Sequence, residues 1–266
     1  MGWCAADDGG QKKEGSIVKR LTAIMMIASL LAVILAACGN DNGNDAEETI
    51  DPAAILSHAA ELMQETDTFS LEVLTDGAPF DFAIDLGVGL VNVRFIRAIG
   101  QFINPSEVQA RVNVRSGGSL EITIYADGED QWFRAPLVGW VNQDFADGFD
   151  PSRIIQEGGG FEAAVGALRD LRYMGHETIN GIGTYHFGGN ADGSGLTDLL
   201  VGLIEIEGEV PVEVFVHRET NYPVRLIIDT IPQTVDEVTD GDITRWIVDV
   251  FDINAPDEIE RPTGAN

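Results

Sequence analysis

Lysine is absent from most of this chain. The last one is Lys19, so every side chain of fixed positive charge beyond Arg20 is an arginine. Cysteine is nearly absent too. Cys4 and Cys38 are the only two among 266 residues, too few for a disulfide framework or a cysteine zinc site. Without lysine no P-loop can be built, and neither G-x-G-x-x-G nor the G-x-S-x-G elbow occurs. Positive charge is scarce overall, with 16 Lys+Arg against 44 Asp+Glu and a formal charge of −28. Such a surface repels phosphate backbones, so nucleic acid is excluded as a partner. The four histidines, His58, His176, His186 and His217, show neither i,i+4 pairing nor an H-E-x-x-H context. Glu177 could pair with His186 on a metal, but a hydrogen-bonded sheet histidine is the plainer expectation. Asn190–Gly195 has the look of a calcium loop, yet its twelfth position is Val201, not Glu. No metal, no catalytic residue and no enzyme activity are expected.

What is present begins with an address. Lys19-Arg20 precede an apolar run, Leu21–Ala37, interrupted only by Thr22 and Ser29. It is short for a membrane span and suits the core of a secretory signal. The run ends Leu35-Ala36-Ala37-Cys38-Gly39. Small residues followed directly by cysteine resemble the lipobox of bacterial lipoproteins. The resemblance implies a diacylglycerol on the Cys38 thiol, cleavage after Ala37, and an acyl chain such as palmitate on the freed amine. No other cofactor is expected. Residues 1–17 carry Asp7, Asp8 and Glu14, which fit a signal start badly. A true start at Val18 is expected, and Cys4 would then be absent from the cell.

Cleavage sharpens the charge. Residues 1–37 hold four basic and three acidic side chains, which leaves 12 arginines against 41 carboxylates in Cys38–Asn266. Arginine makes bidentate carboxylate pairs and ties down an acidic surface better than lysine. Added salt is expected to raise the melting temperature by screening self-repulsion. Residues 38–50 are polar and read as a tether, reaching at most about 40 Å when extended.

The remainder, 51–266, reads as one domain with a substantial core, 44% of the chain being hydrophobic. Asp51-Pro52 marks a helix start, and Ile55, Leu56, Ala59, Leu62 and Met63 place a helix over about 53–66. Phe80, Phe82, Ile84, Leu86 and Val88 alternate with small or polar residues, a half-buried strand. Further strands are expected at 91–102, 108–115, 120–125 and 131–134, then at 177–179, 184–187, 210–217, 224–231 and 244–252. Asp127-Gly128 and 236–242 read as turns. Asp150-Pro151 opens a short helix, Phe161–Tyr173 reads as another, and 196–203 as a third. The expected class is α+β: one curved antiparallel sheet with helices on one face. A long sheet with few helices leaves an apolar cavity.

Three stretches carry a family resemblance. Gly175-His176-Glu177-Thr178-Ile179-Asn180-Gly181 and Gly183-Thr184-Tyr185-His186-Phe187-Gly188 form the first. Val214–His217 with Thr220 and Pro223-Val224-Arg225 form the second, and Phe251–Pro262 the third. In order, they resemble the LppX/LprAFG lipoprotein family over about 50–262, with departures at Phe215 (usually Trp) and His217 (usually Asp). The resemblance implies a half-barrel sheet with helices across its concave face, enclosing an apolar cavity, a fold similar to the LolA/LolB carriers. It also implies an acylated lipid or glycolipid ligand carried across the cell envelope. The expected setting is extracytoplasmic, anchored to the outer leaflet of the cell membrane or elsewhere in the envelope, with a membrane transporter as a further partner. The alternative is an envelope sensor that uses the same fold to bind a protein. The acidic exterior is expected to keep the protein off anionic headgroups. Phe80, Phe82, Ile84, Leu86, Val112 and Ile122 are the expected cavity residues. Gly175, Glu177, Gly181, Tyr185 and His186 are expected to serve structure, with Tyr185 and His186 on opposite faces of one strand.

Overall fold

The computed structural model describes residues 50–85, 89–136, 138–143, 150–200, 206, 208–231, 240–255 and 258–263. Ile50–Asn266 forms one compact unit. The expected signal, Cys38 and the expected tether up to Thr49 lie outside the described residues.

Helix α1 is Pro52–Gln64. The Asp51 side chain accepts from the Ala53 and Ala54 amides at 3.1 and 3.3 Å, and Pro52 needs no partner for a missing N–H. Leu56, Ala59, Ala60 and Met63 are buried, which is the i, i+3, i+4, i+7 stripe of a helix laid on a sheet.

Among the described residues, twelve strands follow. β1 is Thr68–Gly77, β2 Asp81–Asp85, β3 Leu90–Ile103, β4 Glu107–Arg115, β5 Ser119–Asp127, β6 Asp130–Ala135 and β7 Gly139–Asn142. β8 is Leu168–Ile179, β9 Ile182–Asp192, β10 Glu209–His217, β11 Pro223–Thr230 and β12 Thr244–Phe251. They form one open, curled sheet in the order β7-β6-β5-β4-β3-β1-β12-β11-β10-β9-β8, with β2 added along β3. Every pairing is antiparallel. β1 and β12 join the two halves, with Leu71 opposite Val250 and Val73 opposite Val248.

The register puts one continuous apolar face on the inside. Val93, Val112, Ile122, Phe187, Val214, Leu226 and Val248 all belong to the main core. Trp246 is fully buried where the halves meet, edge-on to Phe80 at 5.0 Å and tilted against Phe95 at 5.5 Å.

The inside is covered by a helical insertion between β7 and β8. Its elements are a 3-10 turn at Pro151–Ile154 and helix α2, Gly160–Ala167. Two further 3-10 turns, Gly193–Leu196 and Asp198–Leu200, follow β9. Asp150 caps the first turn by accepting from the Ser152 amide at 2.9 Å. The turn stops at Ile154, short of an α-helix. Gly160 has φ +34, and a Cβ there would lie 1.8 Å from the Ile154 carbonyl oxygen. Only glycine lets the chain fold back so closely before α2.

Two expectations are corrected here. Phe161–Tyr173 is not one helix. It ends at Ala167, and Leu168 opens β8, paired with Ala191, followed by Arg172 with Gly188. Residues 168–173 have apolar spacing compatible with either state. The free edge of β9 decides it, because Gly189 lets the Arg169 carbonyl come within 2.7 Å of where a Cβ would sit. The expected helix at 196–203 is two 3-10 turns as far as Leu200, the rest lying outside the described residues. Segment 236–242 is also outside them up to 239; Asp240–Asp242 forms a 3-10 turn.

Candidate functional site

The apolar recess lies between the helices and the β8–β11 half. Leu56, Ala59 and Ala60 of α1 line it, with Phe161, Ala164 and Val165 of α2. Leu168, Leu196, Val212, Val214, Pro223 and Leu226 complete the wall. Among the described residues, no lining side chain carries a polar group. The empty space amounts to about 390 Å³, but only about 20 Å³ admits the centre of a water molecule. It is a narrow slot.

The slot has a local cause. Ala59 and Ala60 sit in the middle of the α1 stripe, and Ala164 is at the matching place on α2. Small side chains facing a sheet leave volume that Leu or Ile would fill. α2 is pressed against the turn after β9: a Cβ on Gly195 would be 2.7 Å from the Ala167 Cβ. On β8 and β9 of the same half, aromatic rings pack together. Tyr173, Tyr185 and Phe187 pack at centroid distances of 5.9–6.4 Å.

Four of the expected cavity residues, Phe80, Phe82, Val112 and Ile122, are elsewhere on the same inner face. Val112 and Ile122 are cross-strand partners on β4 and β5, 5% and 6% exposed. Phe80 and Phe82 stack at 5.8 Å and pack on the main core from its margin. The Ile84 backbone pairs with Val91; its side chain and all of Leu86 lie outside the described residues. Phe80, Phe82, Val112 and Ile122 do not line the slot. Sequence pattern favoured the long alternating strands, whereas the void arises where two short helices present alanine.

The motif residues fall at one end of β8 and β9. Gly175 has φ +124 at a bulge, and Asn180-Gly181 forms their connection with φ +52 and +85, the mirror-image turn a tight hairpin favours. Tyr185 faces the core and His186 the outside. The His186 Nε2 is 2.8 Å from Glu213 Oε2 and its Nδ1 is 3.4 Å from Glu177 Oε2. Its ring stacks on Phe215 at 4.3 Å, beside a small outer cluster of Ile179, Phe215 and Val224. Among the described residues, no three His, Cys, Asp or Glu side chains converge on a possible metal position.

The outer face is polar and ordered by arginine. Arg225 grips Asp249 through two bonds of 2.5 and 2.7 Å, and Arg245 grips Asp229 at 2.8 and 2.7 Å. The C-terminal segment 258–263 is strapped across β4–β6. Arg261 donates twice to Glu107 at 2.6 Å, and Tyr125 Oη donates to the same carboxylate at 2.9 Å. Arg134 reaches Glu260 at 2.7 Å. The Arg261 hydrogen bonds hold the Glu107 carboxyl below its usual range against the opposing effect of burial. Burial, then the Glu107 carboxylate, pushes the Tyr125 phenol up. Beside the strap runs a groove with room for water over about 530 Å³. It is roomier than the slot, but Gln101, Gln109, Arg111, Glu121, Thr123 and Glu260 line it. An acyl chain gains nothing there. In the sequence the strap shows only as part of the Phe251–Pro262 stretch; its pairings gave no signal, since the partners stand more than a hundred residues apart.

Comparison with known proteins agrees with the geometry. The crystal structure of LprF from Mycobacterium bovis is similar with a TM-score of 0.58 at 17% identity, covering 80% of this chain and 97% of that one. LppX of Mycobacterium tuberculosis, a lipoprotein, gives 0.50 at 18% identity over 79% of this chain and 100% of its own. A LolA superfamily protein from Nitrosomonas europaea aligns at a TM-score of only 0.27 and 12% identity, over 79% and 96% of the two chains, too low to carry an argument. No curated protein matches the chain. The profile of the LppX_LprAFG lipoproteins matches residues 51–247, and the chain therefore belongs to the LppX/LprAFG lipoprotein family.

Proposed function

We propose that this lipoprotein holds the acyl chains of a lipid or glycolipid in the slot between α1, α2 and β8–β11 and carries it across the cell envelope. Cys38, acylated after cleavage at Leu35-Ala36-Ala37, would keep the protein beside a membrane through the tether. The observation that carries the reading is the lining: among the described residues it is twelve apolar side chains from five parts of the chain, none polar. Burying a methylene is worth about 0.8 kcal/mol, so exposing a sixteen-carbon chain costs roughly 12 kcal/mol. A carrier needs an apolar container of this kind and has no use for a reactive group in it. Loading requires α1 and α2 to move off the sheet, because the slot is narrow. The opened space would run on along the same inner face toward Val112, Ile122, Phe80 and Phe82, which belong to or border one continuous core. The protein acts as a carrier and performs no catalysis on this reading.

The test is uptake of a fluorescent long-chain acyl probe by the chain from residue 39 onward. Saturable binding is expected, and Ala164→Phe should weaken it at least tenfold while the fold persists. Failure of the folded protein to bind the probe, or equal binding by the filled variant, contradicts the proposal.

A further inference from the structure

The described lining of the slot is apolar, but the inner face changes character one row further on. Pro223 lines the slot. Its cross-strand row, toward the β8–β9 and β10–β11 turns, runs Pro223, Val216, Tyr185 and His176. Tyr185 is 8% exposed. Its ring is held by Tyr173, His176 and Phe187 at centroid distances of 5.4–6.4 Å. A phenol buried to that extent ordinarily finds a hydrogen-bond partner. Among the described residues, the Tyr185 hydroxyl has none. Nor is it shut away from solvent, since only Trp132 Nε1 is both unpartnered and closed off among the described residues. The hydroxyl is thus the one part of this side chain that faces open space. Beside it, the Tyr173 Oη lies 3.0 Å from His176 Nδ1, and His176 is exposed.

The Arg218 guanidinium lies 5.8 Å from the centre of the Tyr185 ring. Among the described residues, Arg94, Arg97, Arg134, Arg225, Arg245 and Arg261 are each tied to a carboxylate. Arg218 has no carboxylate partner there, in a chain with 41 acidic side chains beyond Ala37. The local fold explains its direction. His217 Nδ1 accepts from the Glu219 and Thr220 amides at 3.0 and 3.2 Å, and the Arg218 amide donates to the Gly183 carbonyl at 3.1 Å. These bonds fix the backbone of the turn while the Arg218 side chain reaches the inner face. Gly183 leaves it room: Arg218 Cδ passes 3.9 Å from where a Cβ would sit.

We infer that Arg218 and the Tyr185 hydroxyl, with His176 beside them, receive the phosphate headgroup of the acyl lipid whose chains occupy the slot. The inference deepens the carrier reading and rests on it. A guanidinium, a phenol and an imidazole place hydrogen-bond donors around one space from three strands or turns. A phosphate suits such a set, because its several oxygens accept from different directions and its charge matches arginine. A neutral headgroup would make no use of the Arg218 charge. The position is right for the task, since the row that carries Tyr185 also carries the slot residue Pro223. The acidic surface does not forbid it. Exposed charges more than about 8–10 Å away are screened at physiological salt, while groups within hydrogen-bond reach are not. The exterior can resist adsorption to anionic surfaces while one local site selects a single anionic headgroup.

The experiment is displacement of the fluorescent acyl probe from the chain, residue 39 onward, by phosphatidic acid and by diacylglycerol with the same acyl chains. Phosphatidic acid should displace it at a concentration about tenfold lower, the scale of a charge-assisted hydrogen bond. Arg218→Gln should abolish that preference. Tyr185→Phe keeps the ring packing and should reduce the preference about threefold. Arg115→Gln removes the same charge from an exposed site on β4 and should leave the preference intact. Calorimetry with inorganic phosphate alone should show far weaker binding, because a free ion gains nothing from the slot. Equal displacement by the two lipids in the parent overturns the inference, as does an unchanged preference in folded Arg218→Gln. A preference lost equally in Arg115→Gln assigns it to net charge and overturns it too. Inorganic phosphate that binds as tightly as phosphatidic acid assigns the cluster to a free anion, with the same result. Failure of the parent to bind the probe removes the carrier reading and the headgroup site with it. Probe binding with equal displacement removes the headgroup site alone.

Discussion

The two halves of the sheet solve one problem in different ways. Each must cover an apolar inner face and order an acidic outer one. In the β8–β12 half, helices α1 and α2 lie on the inside, and alanine at their facing positions leaves a slot. In the β2–β7 half, the strands are as long but none of the slot's lining comes from them. Here the most ordered feature is outside, where the C-terminal segment is fixed by Arg261, Glu107, Tyr125, Arg134 and Glu260. The contrast teaches that cavity position is set by what is laid on a sheet, since both halves present equally apolar strands.

Trp246 sits at the seam and gives the largest expected effect. Trp246→Ala should cost about 3–5 kcal/mol, as large buried aromatics do. Loss of cooperative unfolding into two transitions would sharpen the comparison by separating the halves. A single shifted transition would show them to be one folding unit, and an unchanged melting temperature would break the account of the seam.

The strap comes next. Glu107 is 6% exposed, and Glu107→Gln should cost about 1 kcal/mol, discounted because Arg261 is mostly exposed. Proteolysis near residue 258 should quicken while acyl uptake stays the same, confining the effect to the outer face. The folded Glu107 carboxyl titrates below its ordinary value, so its stabilisation is complete above the unfolded pKa of about 4.3 and is lost as pH falls through the lower folded value. The parent strap should therefore loosen only in strong acid, and the variant should lack that step. A strap equally resistant in both would contradict it.

The smallest effect belongs to Arg94 and Asp81, an exposed pair at 2.8 Å. Arg94→Ala should leave the melting temperature unchanged, as exposed pairs add little. A clear drop would mean that the outer pairs of the β2–β7 half act as a network.

Much of this was legible beforehand. The period-2 runs gave β3, β4, β5, β10, β11 and β12 to within a residue or two, and Asp51-Pro52 marked α1, because those signals are local. β8 was legible only at its end, since pairing with β9 overrides the helical spacing at 168–173. The apolar inner face could be read from the alternation, but the slot could not. Leu56, Ala60, Phe161, Val212 and Leu226 are brought together by topology, and alanine at 59, 60 and 164 looks like ordinary helix composition. The arginine-rich acidic surface was visible as composition, while its pairings, such as Arg225 with Asp249, depend on register.

The central claim is that the slot between the helices and β8–β11 carries lipid. Its most direct test is mass spectrometry of an organic extract from the purified chain, residues 39–266, exported from its host, alongside Ala164→Phe. The account predicts a reproducible, stoichiometric acylated lipid in the parent and its loss in the variant. A clean extract from well-folded parent protein that also takes up no added lipid would contradict it.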